Sequence, residues 1–122
     1  MAKTVHNDVL DAALNIIKNN ATTQLVCSSE PTDRATALAA ALATATMASG
    51  DFTVADDTSG RKVTSAVKSG VMIDVSGTAN HIAYIDGTRL LYVTTCTSQV
   101  LTANGVNTVS LPAWKISIAD PT

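Results

Sequence analysis

Aromatic residues are scarce in this chain: Phe52, Tyr84, Tyr92 and Trp114 are the only four in 122 residues. Any core must therefore be built from Ala, Val, Leu and Ile. Charge is also sparse and nearly balanced, with 8 Lys and Arg against 10 Asp and Glu and a formal net charge of −2. A nucleic-acid binder would show a basic patch, and none is present. No run approaches the roughly 18 to 20 apolar residues of a membrane-spanning helix. The first twenty residues do not read as a signal peptide, because Asp8 and Asp11 interrupt any apolar segment. A soluble chain made in a cytoplasm is expected.

Metal and catalytic motifs are missing as well. His6 and His81 are the two histidines, Cys27 and Cys96 the two cysteines, and they show no CxxC or HxxxH spacing. Two buried thiols are expected, given the compartment. A disulfide is the alternative if the two strands meet and the protein later leaves the cell. No G-x-S-x-G elbow accompanies the scattered Ser, His and Asp residues. The six glycines form no phosphate-binding fingerprint. Asp56-Asp57-Thr58-Ser59-Gly60 lacks the acidic spacing and closing Glu of a calcium loop and reads as a solvated turn. No catalytic residue, metal ligand or cofactor site is expected.

What is present is a set of short elements in one domain, residues 1–122, divided into a helical N-terminal part, 1–50, packed on a β-sandwich, 51–122. Residues 5–19 have an amphipathic helical pattern, with Val9, Leu10, Ala13, Leu14 and Ile17 on one broad stripe and Thr4 as N-cap. Thr22 to Ser28 reads as a strand. Residues 33–48, rich in Ala, predict a second helix through Leu38, Ala41, Leu42 and Ala45. From Asp51 the period shortens toward two. Strands are expected over Phe52–Ala55, Arg61–Lys68, Val71–Val75, Gln99–Leu101, Thr108–Leu111 and the final Trp114–Ile118 stretch, with turns at Ser69-Gly70 and Asn104-Gly105 and an interruption at Pro112. The fold class is mainly β within α+β: two N-terminal helices, then an antiparallel, jelly-roll-like sandwich of about seven or eight strands.

The central element is the hairpin around Asp86-Gly87 in NHIAYIDGTRLLYVTT. Asp-Gly suits a two-residue type I′ turn, which would pair Ile85 with Thr88, Tyr84 with Arg89, Ala83 with Leu90, Ile82 with Leu91 and His81 with Tyr92. Ile82, Leu91 and Val93 would then share one face, with Tyr84 and Arg89 toward the turn. Ile85, Ala83, Leu90, Tyr92 and His81 would share the other. Two apolar faces imply cover on both sides. Tyr84 and Arg89 could form a surface cation–π pair or meet a partner. His81, Tyr92 and Trp114 complete the candidate interface residues, although the lone Trp is first expected to anchor the core of the last strand.

The order of segments resembles a family of small virion structural proteins of tailed bacteriophages. The matching features are an N-terminal helix, QLVCSSEPTD, the turn-rich DDTSGRKVT, then SGTANHIAYIDGTRLLYVTT and NGVNTVSLPAWKISIAD. The family more often carries Gly-Asp in its last hairpin, where this chain has Asn104 to Asn107. The resemblance implies a jelly-roll-like virion component without enzymatic activity, described in the family variously as head-decoration and tail- or fibre-associated. The expected function is capsid decoration, cementing the head shell; the alternative is a tail, neck or fibre subunit, which could bind a receptor. Expected partners are other virion proteins and further copies of the chain as a homo-oligomer, with no nucleic acid and no membrane. A small enzyme or carbohydrate-binding module is the remaining class, disfavoured because so few aromatics are available for a glycan platform.

Overall fold

The structure is a computed structural model and describes residues 3–121. Within it the protein is mainly β and antiparallel, with two α-helices. Chain order is α1 (Asn7–Asn20), β1 (Thr23–Cys27), α2 (Arg34–Ala40), β2 (Ala41–Thr46), a 3-10 turn (Ser49–Asp51), β3 (Phe52–Asp56), β4 (Arg61–Ser65), β5 (Lys68–Met72), β6 (Gly77–Ile85), β7 (Leu90–Leu101), β8 (Thr108–Leu111) and β9 (Lys115–Ile118). Nine strands fall into three sheets, ordered β2-β1-β6-β7, β3-β4-β9 and β5-β8, where seven or eight strands were expected. No helix among the described residues is long and apolar enough to cross a membrane.

Helix α1 buries Leu10, Leu14 and Ile17, spaced by four and three residues, as a 3.6-residue period requires. Val9 and Ala13, expected on the same stripe, are exposed. His6, not Thr4, is the N-cap, its Nδ1 accepting from the Asp8 N–H. Two clamps fix the helix. Lys18 donates to the carbonyls of Ser49 and Phe52 at 2.8 and 2.7 Å. Arg61 of β4 donates to both carboxylate oxygens of Asp11 and to Asp56. The Arg61–Asp11 contact is charge-assisted and bidentate, which adds geometric specificity to its strength.

The N-terminal part is not a helical layer set against a sandwich. β1 lies inside its sheet, between β2 and β6. The expected helix over 33–48 stops at Ala40, and the chain enters β2 directly. Asp33 caps α2 by accepting from the Thr36 N–H, while the Thr36 hydroxyl accepts from the Asp33 N–H. Beyond it, Ala43, Ala45 and Met47 are buried while Thr44 and Thr46 are exposed, which is period two. β2 then pairs along β1 from Thr23↔Thr46 to Cys27↔Ala41. Tertiary pairing here overrides the helix propensity of alanine. Farther on, the expected strand over Arg61–Lys68 divides into β4 and β5, and the expected turn at Ser69-Gly70 lies within β5, at an irregularity in its pairing with β8.

The β6–β7 hairpin is present but its turn is longer than expected. Gly87 is not among the positive-φ residues, so the two-residue type I′ turn does not form. Asp86 to Arg89 make a four-residue loop closed by the Asp86 N–H donating to the Arg89 carbonyl at 3.0 Å. The register becomes Ile85↔Leu90, Tyr84↔Tyr92, Ala83↔Val93, Ile82↔Thr94 and His81↔Thr95, with one irregularity beside the turn. Tyr92 therefore opposes Tyr84, and Val93 joins Ala83 and Ile85. The two faces do receive cover. Ile82, Tyr84, Leu91 and Tyr92 join the large core with Leu14, Ile17, Phe52 and Val63. Ala83, Ile85, Leu90 and Val93 form a smaller cluster with Leu25, Cys27 and Ala37 of α2.

Candidate interaction surface

The expected interface residues do not gather at one place. Tyr84 is fully buried and stands at the centre of a polar network inside the apolar core. Its hydroxyl donates to Ser65 Oγ at 2.9 Å and accepts from Gln24 Nε2 at 3.1 Å. Ser65 Oγ in turn accepts from the Trp114 N–H at 3.0 Å, which ties β4 to the segment entering β9. Gln24 Oε1 is buried without a partner among the described residues. Phe52 packs edge-on against the Tyr84 ring, centroids 5.9 Å apart, a favoured aromatic geometry. Tyr84 is thus a core residue and is removed from the interface set.

Arg89 serves the turn. Its Nε donates to Asp86 Oδ2 at 2.7 Å, while Asp86 Oδ1 accepts from the N–H groups of Thr88 and Arg89. These bonds favour the carboxylate and hold Asp86 down at about 2. Arg34 of α2 donates to the Asp86 carbonyl at 2.8 Å and anchors the same turn from the other side. The surface cation–π pair between Arg89 and Tyr84 is replaced by this arrangement.

His81 is half-buried, with Nδ1 2.7 Å from Asn80 Oδ1. In register it opposes Thr95, not Tyr92, and the two residues expected to share a face lie on opposite ones. The turn at 56–60 is neutralised from within the chain: Asp56 bonds Arg61, and Asp57 accepts from Lys115 at 3.2 Å. Among the described residues no group of three or more His, Cys, Asp or Glu could hold a metal ion. Cys27 and Cys96 are both free thiols, the first buried and the second half-buried. Burial pushes the Cys27 thiol up to about 11 and raises Cys96 as well, so neither is a ready thiolate.

Trp114 is the member of the set that meets a concave surface. A cleft of about 200 Å3 opens between β7 and β8, with Val26, Ala79 and Ile82 as its floor and Trp114 and Pro112 at one wall. The opposite wall is β7, through Cys96, Thr97 and Gln99. Small-molecule sites usually enclose roughly 300 to 1,000 Å3, so this cleft suits one apolar side chain better than a metabolite. No carboxylate, imidazole or amine lines it. The hydroxyl and thiol groups on its walls belong to Cys96, Thr97 and Ser110.

A continuous β7 was not expected from the sequence, where Thr95 ends one strand and Gln99 begins the next. The signal was LLYVTTCTSQVL, twelve residues without Gly, Pro or any charge. β7 bends instead of breaking: Ala79 opposes Gln99 and His81 opposes Thr95, leaving Cys96, Thr97 and Ser98 opposite the single Asn80. Such a bulge bends a strand and re-aims its side chains.

No family model, curated protein or solved structure matches the chain.

Proposed function

We propose that this chain is a non-enzymatic structural subunit of a tailed-phage virion, and that it decorates and cements the head shell. The observation that carries the reading is the character of the cleft beside β7: mostly apolar, the size of a side chain, and lined by no carboxylate, imidazole or amine. Such a surface suits docking of protein on protein. The resemblance of the ordered segments from QLVCSSEPTD to NGVNTVSLPAWKISIAD supplies the virion context. In this reading the sheets are the layers of a jelly-roll-like sandwich, and the nine strands are that architecture with β1 and β2 drawn from the N-terminal fifty residues.

A cement subunit acts by adding many modest contacts to a symmetric shell. Each contact is weak, and multivalent engagement makes the whole tight. Its partners are the major capsid protein and further copies of itself, assembled after synthesis in the host cytoplasm. Neither nucleic acid nor membrane takes part.

Electron microscopy of particles carrying a tagged copy of the chain tests the reading. Density repeated over the head with the shell's symmetry is the expected result. Label confined to the tail, neck or fibres would replace decoration with the tail-associated role, and particles without label would overturn both.

A further inference from the structure

We propose that the outer edge of β7 is a self-pairing surface: two copies join antiparallel through residues 95–101, with the two-fold axis at Ser98. The four-stranded sheet of each copy would then continue into the other. Val100 of the second copy would sit beside Cys96, at the mouth of the cleft.

An outer strand exposes backbone N–H and C=O groups, and proteins normally protect such edges with charge, proline or short length. The other outer strands of this molecule are protected. β2 is covered along its edge by the segment that follows β5, through the bridge Ala43↔Ile73 and the N–H groups of Asp74 and Val75 donating to the Leu42 carbonyl. β5 begins at Lys68, β9 carries Lys115, β3 is bracketed by Asp51 and Asp56, and β8 is four residues long and is followed by Pro112. β7 is twelve residues long and carries neither charge nor proline. Its exposed stretch, Thr97 to Val100, lies at the bulge, where Cys96, Thr97 and Ser98 have no individual partners in register on β6. Strand addition at an edge draws its affinity from main-chain hydrogen bonds and its specificity from pockets for side chains. The cleft supplies such a pocket beside Cys96.

A second copy is the occupant that this edge fits. A two-fold axis at Ser98 places the same short stretch on both sides of the pairing, so a charged edge would bring like charges together across it. β7 has none to oppose. A nucleic acid or a strongly charged peptide would find no complementary charge along it. With Ser98 on the axis, Thr97 meets Gln99 and Cys96 meets Val100, so polar faces polar and apolar faces apolar. Val100 is 75% exposed and gains cover by the pairing. Such a contact is isologous, and it closes on itself as a dimer.

The inference deepens the structural-subunit reading and rests on it for the use of self-association. The two fail separately: a monomer in solution sinks the edge pairing alone, and absence from the particle sinks the function. The test is sedimentation velocity on the purified chain and on Val100→Lys, with Val106→Lys as control, since Val106 is equally exposed but lies outside the strand. Wild type and Val106→Lys should sediment as dimers of the 12.6 kDa chain, and Val100→Lys should lose the dimer, halving the mass. Circular dichroism checks that each variant is folded. Independently, Ser98→Cys in a Cys96→Ser background should form an interchain disulfide between the introduced thiols under mild oxidation. A monomeric wild type would overturn the proposal. So would a dimer that survives Val100→Lys and gives no cross-link at position 98.

Discussion

Tyr84 does two things with one side chain: its ring fills the large core and its hydroxyl satisfies two other buried groups. Tyr84→Phe keeps the ring and removes the hydroxyl, leaving Gln24 and Ser65 each short of a partner. A buried group left unpaired costs about 1 to 3 kcal/mol. Urea unfolding of Tyr84→Phe should show that loss as a lower midpoint with an unchanged slope. Asp86 acts at the turn of the same hairpin. Its folded value of about 2 lies below the ordinary 3.8, so its contribution to stability is present above the ordinary carboxylate range and is lost as pH falls toward about 2. Asp86→Asn removes that dependence. The gap in urea midpoint between wild type and Asp86→Asn should be constant near neutral pH and shrink in acid; a gap that widens in acid would contradict the assignment. Neither role was legible from residue type alone. A tyrosine five residues before an arginine across a turn suggests a surface pair. In the structure Tyr84 opposes Tyr92, and its ring lies in the core beside Phe52.

The elements were legible where local pattern and tertiary pairing agree. α1 declared itself through Leu10, Leu14 and Ile17, and β6 through its apolar run. Where the two conflict, pairing wins. The Ala-rich segment after Asp33 favours helix for seven residues and then yields to β2, because β1 offers a partner along its whole length. The alternation Ala43-Thr44-Ala45-Thr46-Met47 was the signal for that switch. The Asp86-Gly87 turn failed as a two-residue turn for a local reason: the Asp86 carboxylate captures the N–H groups of Thr88 and Arg89 and draws both into the loop. α2 sits close to its sheet because the contact is made of small side chains, Ala37, Cys27 and Ala83, all fully buried. Ala37→Leu should therefore overpack this cluster and cost about 1 to 3 kcal/mol. Leu38→Ala, on the 44% exposed neighbour, should fall within about 0.5 kcal/mol of wild type. Equal effects of the two in thermal or urea melts would mean that α2 lies differently on the sheet.

At the scale of the whole molecule, the distribution of charge is more informative than its sum. The Lys and Arg contacts at α1, β3 and the Asp86 turn bind parts of the chain to one another, as Lys18, Arg61, Arg34 and Arg89 each do. The long outer strand is left uncharged. Which surface would meet a partner was not legible in the sequence, because β7 read as two short strands and the cleft depends on the spacing between strands distant in the ladder. The proposed function is an act of assembly, so reconstitution tests it most directly. Particles lacking this chain should be incubated with the purified protein and heated while genome release is followed. The protein is expected to bind the shell to saturation and to raise the temperature of release, and Val100→Lys to do so less well. Shells that fail to bind the protein, or that bind it with no change in heat resistance, would contradict the account.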